Sequence, residues 1–262
     1  MHMADLLITP SVAGTMGGVS ASLLAVAVRQ TRKSGQEGIV PLMGVTGAFV
    51  LAAQMLNFTI PGTGSSGHLI GGILLAALLG PWTGFLVLTS VLLVQCLLFA
   101  DGGLMALGCN IFNMAACSCL LAYPLLFRPI AGKMLSATRL TIASLLACVI
   151  GLEVGALMVT LETSVSGVAS LPFLPFLRFM LLIHLPIGIG EGLATAGVLL
   201  FVRRMRPEML TEGIVSQQNS ASSSRMLWLG VAFSVLVVTV AWLWASALPD
   251  GLEWSILKAK GG

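Results

Sequence analysis

Long apolar segments, most of them about the length of a membrane span, are separated along this chain by short polar segments. Apolar stretches near the length of about 20 residues that crosses a bilayer as a helix follow one another, with short polar turns between them. The candidate spans are residues 10–28, 40–57, 68–80, 82–100, 104–127, 140–161, 178–202 and 226–248. The pattern predicts an all-α, polytopic membrane protein with seven spans in its core and one extra C-terminal span.

The third stretch, residues 68–80, is too short to cross the bilayer, because a helix rises about 1.5 Å per residue and would extend only ~20 Å here. The residues before it, 57–68, contain no acid and no lysine and are rich in turn formers. Together they predict a re-entrant loop that leads into a short helix. Non-helical backbone is tolerated at membrane depth only where protein or a polar cavity covers it.

A polar linker with a serine-rich end, residues 207–225, separates the first seven spans from the last. It predicts a membrane core of residues 1–206 and an attached segment of residues 226–262. The first residues lack the basic region that begins a signal peptide. We therefore expect no cleavable leader and a mature chain that begins at or near Met1.

The basic residues favour one orientation in the membrane. Placing the N-terminus outside puts ten of the 13 lysines and arginines inside and three outside, as the positive-inside rule requires. The ten are Arg29, Arg32, Lys33, Arg128, Lys133, Arg139, Arg203, Arg204, Arg206 and Arg225, and the three are Arg178, Lys258 and Lys260. We expect a multi-pass protein of the bacterial plasma (inner) membrane, with Met1, His68 and Asp101 on the outer side.

The composition excludes several other classes of protein. Hydrophobic residues make up 57% of the chain and charged residues 9%, whereas ordinary soluble domains have roughly 25% charged residues. The net charge of +3 is too small to indicate nucleic acid, so the lipid bilayer is the expected surrounding. Five cysteines without a Cys-x-x-Cys pair predict small packing residues rather than a disulfide framework.

Nucleotide-binding motifs are not supported by their context. Residues 62–67 match Gly-x-Gly-x-x-Gly, but they lie between apolar spans and outside any βαβ unit, so the match does not indicate a dinucleotide site. The chain has no phosphate-binding loop of an ATPase. Any ATP hydrolysis would therefore belong to partner subunits.

The first two residues offer the donors of a planar metal chelate. The Met1 amine, the His2 amide nitrogen and the His2 imidazole can close fused five- and six-membered rings around one ion. His68, on the glycine-rich loop of the same side, is the candidate for the fourth position in that plane. Square-planar nitrogen ligation indicates Ni(II) or Cu(II), with Co(II) as a further candidate. The alternative is a second-position histidine without a role.

His184 and Glu191 support a different hypothesis. They are seven residues apart and share one face of a membrane helix, where an acid is costly and indicates a function or a specific partner. A membrane-embedded metalloenzyme using His68, His184 and Glu191 is therefore the alternative function. For His184 alone, the alternative is an interhelical hydrogen bond, which a lone membrane histidine commonly makes. For the whole protein, the third hypothesis is a channel subunit that binds no metal.

The first span carries small residues at every fourth position, namely Gly17, Ala21 and Ala25. Such a stripe lets another helix approach closely. It predicts either internal packing or a docking surface for a second membrane subunit.

Several segments carry a family resemblance. They are Met1-His2, residues 62–69 (Gly-Thr-Gly-Ser-Ser-Gly-His-Leu), residues 99–104 and 110–113, and residues 184–191 (His-Leu-Pro-Ile-Gly-Ile-Gly-Glu). In these segments, and through most of residues 1–206, the chain closely resembles the CbiM/NikM family. These proteins are the substrate-binding components of cobalt and nickel energy-coupling factor transporters. Residues 249–254, Pro-Asp-Gly-Leu-Glu-Trp, resemble the small auxiliary membrane subunit that accompanies the family.

The resemblance implies a seven-helix core with its N-terminus tucked inward, and an ion held by the Met1 amine, the His2 amide and imidazole, and the His68 imidazole. It implies a membrane coupling subunit and two cytoplasmic ATPases as partners. The chain itself would not be an enzyme and would have no resident cofactor, with Ni(II) or Co(II) as the transported ion. Nickel is favoured, because affinity rises from Co(II) to Ni(II). Candidates for groups that orient the ligands are Asn57, Gln95, Asp101, Asn110 and Asn113.

Overall fold

The computed structural model describes residues 1–34, 37–132, 136–168, 170–210 and 246–260, and most of these residues are helical. The helices are α1 (Pro10–Lys33), α2 (Val40–Gln54), α3 (Gly72–Leu79), α4 (Pro81–Phe99), α5 (Leu107–Ala131), α6 (Ala137–Ser166), α7 (Phe173–Met205) and α8 (Gly251–Ala259). Within the described ranges, α1 and α4 to α7 are long and apolar enough to cross a membrane. The prediction of an all-α, multi-pass membrane fold is confirmed.

The helices follow the predicted spans, with two shorter members. α2 has 15 residues and α3 has 8, and α3 corresponds to the stretch that is too short to cross the bilayer. Most of the predicted last span, residues 226–248, and of the linker, residues 207–225, lies outside the described residues. The division into core, linker and attached segment therefore stays a prediction, as does the outward orientation of the N-terminus.

The long helices are held together by close backbone contacts. Gly192 of α7 lies so near α6 that a Cβ atom there would come within 2.7 Å of the Leu145 Cα. Gly188, one turn earlier, has the same relationship to Val149. Small residues at such crossings let membrane helices approach and gain van der Waals contact.

The five cysteines are all free thiols and four are buried, which agrees with a packing role.

The predicted re-entrant loop is a small β-hairpin followed by α3. Strands β1 (Phe58–Ile60) and β2 (Ser65–Gly67) pair antiparallel, with Thr59 opposite Ser66. Gly62 and Gly64 form the turn with φ angles of +77° and +72°, which glycine adopts without steric cost. The non-helical loop agrees with the sequence pattern. The strand pairing does not follow from that pattern, because three-residue strands are too short to show a period of two.

The two ends of the helix bundle contain different groups. The N-terminal residues, the hairpin and α8 meet at one end, where the Thr9 amide donates a hydrogen bond to Ser166 Oγ at 3.1 Å. At the other end α1 finishes in a basic turn, and the Arg139 guanidinium donates to the Ile130 carbonyl between α5 and α6. The candidate metal ligands all lie at the first end.

Candidate metal site

The N-terminal amine and His68 meet in the interior of the protein. The Met1 nitrogen lies 2.8 Å from His68 Nε2, and the exposed fractions are only 4% for Met1 and 7% for His68. The end of β2 places His68 here because Gly67 lies against α7, where a Cβ atom would come within 2.6 Å of Ile187 Cγ1. Two of the predicted donor groups are therefore adjacent, and the N-terminus is tucked inward.

The hydrogen bonds of His68 define which ring nitrogen is the donor. Nδ1 lies 3.2 Å from the Leu69 carbonyl oxygen, which can only accept, so Nδ1 carries the proton. The lone pair of Nε2 then points to the Met1 amine. Burial, and then the charge of the N-terminus, lower the pKa of His68 to about 3. The imidazole is thus neutral, which is the form that binds metal ions.

His2 lies beside His68, with ring centroids 5.0 Å apart and ring planes 21° from parallel. Its Nδ1 is 3.3 Å from an oxygen of Asp101, and its Nε2 is buried with no hydrogen-bond partner among the described residues. Burial, and then the neighbouring His68 and N-terminal amine, lower the pKa of His2 well below its ordinary value. Both histidines of the predicted site are therefore together and neutral.

Two predicted orienting residues, Asp101 and Gln95, lie beside His2. Asp101 approaches Nδ1 directly, and burial raises its pKa while the N-terminal charge opposes that rise. Gln95 is fully buried near His2, and its backbone carbonyl accepts from the Asp101 amide at 3.1 Å. The turn between them, at Ala100, has a positive φ of 53°. The observed contact of Asn57, a third predicted orienting residue, is made by its backbone carbonyl, which accepts a hydrogen bond from the Ser246 amide at 2.8 Å.

Asn110 holds the backbone two residues beyond the amine. Its Oδ1 accepts from the Met3 amide at 2.7 Å, and its Nδ2 donates to the Met3 carbonyl at 3.2 Å. The Gly103 amide also donates to that carbonyl at 2.8 Å. Asn113 lies deeper and donates from Nδ2 to Glu162 at 2.7 Å and to the Met3 sulfur at 3.7 Å. These contacts fix the backbone and the side chain of Met3, two residues beyond the amine.

Asp250 is a charged group at the amine that the sequence did not single out. Its Oδ2 accepts a hydrogen bond from the Met1 amine at 3.1 Å, as an ion pair. Burial alone would raise the pKa of this carboxyl group, but the N-terminal charge and the Glu253 amide hold it well below its ordinary value. The Asp-x-x-Glu spacing of residues 250–253 predicts a helix N-cap, which is present, but it does not reveal the contact with Met1.

Asp5 makes a structural contact near the site that the sequence did not reveal. Its Oδ1 accepts a hydrogen bond from the Ala106 amide at 3.0 Å. The carboxylate thereby ties the short turn after Met3 to the loop that precedes α5. The sequence shows only that an acid lies near the N-terminus.

His184 and Glu191 have separate partners. His184 Nδ1 donates to the Met180 carbonyl one turn earlier at 2.7 Å. The two oxygens of Glu191 accept from the amides of Ile70 at 3.1 Å and Gly71 at 2.9 Å. Glu191 thus holds the backbone between His68 and α3, which explains an acid inside a membrane helix.

The described residues do not supply the metal site that the metalloenzyme hypothesis needs. Across the ranges that the structure describes, no three side chains of His, Cys, Asp or Glu form a group that could hold a metal ion. His68, His184 and Glu191 therefore do not form the predicted catalytic set. The planar chelate is a different arrangement, because two of its four nitrogens come from the backbone of Met1 and His2.

The small-residue stripe of α1 has two faces. The backbone of Gly17 lies against α5, where a Cβ atom at Gly108 would come within 2.5 Å of the Gly17 nitrogen. Ala21 and Ala25 are exposed, and the space beside Gly18 is open. Gly17 therefore serves internal packing. Docking of a partner helix on the exposed part of the stripe, at Ala21 and Ala25, stays a prediction.

The chain is similar to a known protein family and to proteins named for metal transport. The family model described as "Cobalt uptake substrate-specific transmembrane region" matches residues 2–209. The chain is 31% identical over 268 residues to the "Probable fused nickel transport protein LarMN" of Lactiplantibacillus plantarum, covering 97% of this chain and 78% of that protein. It is 29% identical over 216 residues to the cobalt transport protein CbiM of Sorangium cellulosum, covering 80% and 94%.

A solved structure is also similar. The crystal structure of a truncated transition metal transporter matches with a TM-score of 0.68 and 30% sequence identity, over 78% of this chain and 99% of that one. The resemblance predicted from the motifs is confirmed, and so is a membrane component of cobalt or nickel transport rather than an enzyme. The chain belongs to the CbiM family of cobalt uptake substrate-specific transmembrane regions.

Proposed function

We propose that this chain is the substrate-specific membrane subunit of an energy-coupling factor transporter for Ni(II) or Co(II). The ion would bind to the Met1 amine, the His2 amide and imidazole, and His68. One observation carries the proposal: the Met1 nitrogen lies 2.8 Å from His68 Nε2. Imidazole–metal bonds are about 2.0 Å long, so two adjacent donors at right angles around one ion are separated by ~2.8 Å.

The chemistry of the other donors favours the same ions. A five-membered ring joins the amine and the deprotonated His2 amide, and a six-membered ring joins that amide to His2 Nδ1. Nδ1 contacts Asp101 in the structure, so closing the ring would replace this contact with a bond from Nδ1 to the ion. Four nitrogens in a plane suit Ni(II), and the rise in affinity from Co(II) to Ni(II) favours nickel.

The transport context rests on three further observations. The amine and both histidines lie at the end of the bundle opposite the basic turn of α1, which supports an outward-facing site under the positive-inside rule. The chain has no ATPase motif, so two cytoplasmic ATPases would supply the energy through a membrane coupling subunit. The exposed part of the α1 stripe, at Ala21 and Ala25, is the proposed docking surface for that subunit.

Equilibrium dialysis against Ni(II) and Co(II), followed by elemental analysis, tests the binding site. The protein needs its native N-terminus, verified by intact mass, and a C-terminal tag. His68→Ala should lower nickel affinity by about tenfold or more, equivalent to at least ~1.4 kcal/mol, because water would replace the fourth nitrogen. Thr59→Ala, at an exposed position of the same hairpin, is the matched control and should bind as the native chain does. Equal affinity in His68→Ala would remove His68 from the site.

A further inference from the structure

The C-terminal segment, residues 246–260, is docked on the hairpin that carries His68. The Ser66 amide donates to the Pro249 carbonyl at 2.8 Å, and the Ser66 hydroxyl donates to the Leu248 carbonyl at the same distance. The Trp254 indole donates to the Thr63 carbonyl at 2.9 Å. The backbone of the segment is thus hydrogen-bonded to the same loop that positions a predicted metal ligand.

The start of α8 fits closely against α7. A Cβ atom at Gly251 would come within 3.1 Å of both His184 Cε1 and Ile187 Cδ1, so a larger residue would push the segment outward. Leu252 is 3% exposed and Ser255 is fully buried. Contacts on both sides of Asp250 therefore fix the position of its side chain.

The two oxygens of the Asp250 carboxylate have different partners. Oδ1 accepts from the Glu253 amide at 2.8 Å and caps α8. Glu253 reaches back to the Asp250 amide at 3.3 Å and completes a capping box. The cap holds the carboxylate in one orientation, and Oδ2 is left to accept from the Met1 amine at 3.1 Å.

We propose that Asp250 is a positioning residue of the metal site, which holds the Met1 amine beside His68 and keeps its hydrogen bond to that amine when the ion is bound. The inference rests on the proposed function. A metal-bound primary amine retains two N–H bonds, so one can donate to Asp250 while the lone pair faces the ion. Carboxylates that accept from a ligand in this way fix its orientation and raise its basicity. Residues 246–260 are then part of the binding site and not only an attachment to it.

Asp250→Asn separates the cap from the amine contact. Asparagine caps helices as well as aspartate does, and keeping its oxygen on the Glu253 amide turns an NH2 group toward the Met1 amine. Two donors would then face each other, and the amine would lose its acceptor. Glu253→Gln is the matched control, because it removes a charge from the same turn and can still close the capping box.

The first measurement needs no metal. The full chain, purified in detergent, is treated with an acetylating reagent, and the rate at the α-amine is followed by mass spectrometry of the N-terminal peptide. The amine should react several-fold faster in Asp250→Asn than in the native chain, and Glu253→Gln should react as the native chain does. Equal rates in Asp250→Asn and the native chain would overturn the inference, whatever the protein transports.

A second measurement separates positioning from docking. Ser255 lies on the buried face of α8, so a Ser255→Cys thiol reports undocking through its rate of maleimide labelling. That rate should be the same with aspartate or asparagine at position 250. Fast labelling only in the Asp250→Asn background would show that Asp250 merely attaches the segment, and would overturn the inference.

Nickel dialysis on the same variants completes the test. Asp250→Asn should lower nickel affinity by about tenfold, the lower end of what loss of a ligand-orienting group costs, and Glu253→Gln should leave it unchanged. If the native chain binds nickel through His68 and Asp250→Asn binds equally well, the inference fails and the proposed function stands. If the native chain binds no nickel, the proposed function fails, and the acetylation rates still decide whether Asp250 holds the amine.

Discussion

The α-amine of Met1 lies 2.8 Å from Nε2 of His68, although the two residues are 67 positions apart in the chain. The amine is brought there by a buried N-terminal segment whose Met3 backbone is held on both sides by Asn110. The histidine is brought there by a hairpin that lies against α7. The relationship therefore depends on contacts outside the donor set.

Asn110→Ala should weaken nickel binding by about tenfold, as expected when a group that orients a ligand is lost. The substitution removes both hydrogen bonds to Met3, and the amine is then no longer held in register with His68. Dialysis with Ni(II) measures the effect. Asn57→Ala is the matched control, because the observed contact of Asn57 uses its backbone carbonyl, and it should bind normally. Native affinity in Asn110→Ala would show that the N-terminus is positioned without this residue.

Glu191→Gln should destabilise the protein by about 1–3 kcal/mol, the usual cost of leaving a buried polar group unsatisfied. Glutamine has only one acceptor oxygen, so an amide group would face the backbone N–H of Ile70 or Gly71. Thermal unfolding in detergent should show a lower Tm. Glu153→Gln, on α6, is the comparison: Glu153 Oε1 has no hydrogen-bond partner among the described residues, so a smaller change is expected. A Tm as high as that of the native chain would contradict the role given to Glu191.

Ala21→Leu or Ala25→Leu should weaken assembly with the coupling subunit while leaving nickel binding intact. A bulky side chain on the exposed part of the stripe separates the two helix backbones and reduces their close packing. Val19→Leu, which places the same side chain at an exposed position of this helix outside the stripe, is the control. Co-purification of the coupling subunit and both ATPases measures assembly. Unchanged recovery of these partners would mean that the stripe faces lipid.

The positions of the main elements could be predicted because membrane spans have a strong local signal. The apolar stretches 10–28 and 140–161 correspond to Pro10–Lys33 and Ala137–Ser166, and their ends differ because polar residues continue a helix beyond the hydrocarbon. The juxtaposition of Met1 with His68 could be predicted from coordination chemistry and a shared side of the membrane. Its use for metal binding stays a prediction.

The contacts of Asp250 and Glu191 could not be predicted in the same way. Asp250 is 249 positions from its partner Met1, and the local sequence shows only a helix cap. Glu191 looks like a functional acid by its place in a membrane helix, whereas its two oxygens satisfy the backbone of Ile70 and Gly71. Such pairings depend on how the helices pack, which the apolar pattern does not specify.

The role of the N-terminal amine is tested most directly by nickel binding in three forms of the full chain. They have the native start, one alanine inserted between Met1 and His2, or an uncleaved N-terminal tag, and all carry the same C-terminal tag. The tag blocks the amine, so the first chelate ring cannot close. The insertion keeps every side chain but adds an amide, so the N-terminal tripeptide can fill all four planar positions without His68.

The measurement is equilibrium dialysis with Ni(II), combined with nickel uptake by cells that also express the coupling subunit and the ATPases. The native start should bind nickel tightly, with loss on His68→Ala, and should transport it. The tagged chain should lose tight binding and uptake, and the insertion variant should lose uptake and bind nickel independently of His68. Normal binding and uptake by the tagged chain would contradict the claim that the Met1 amine is a metal ligand.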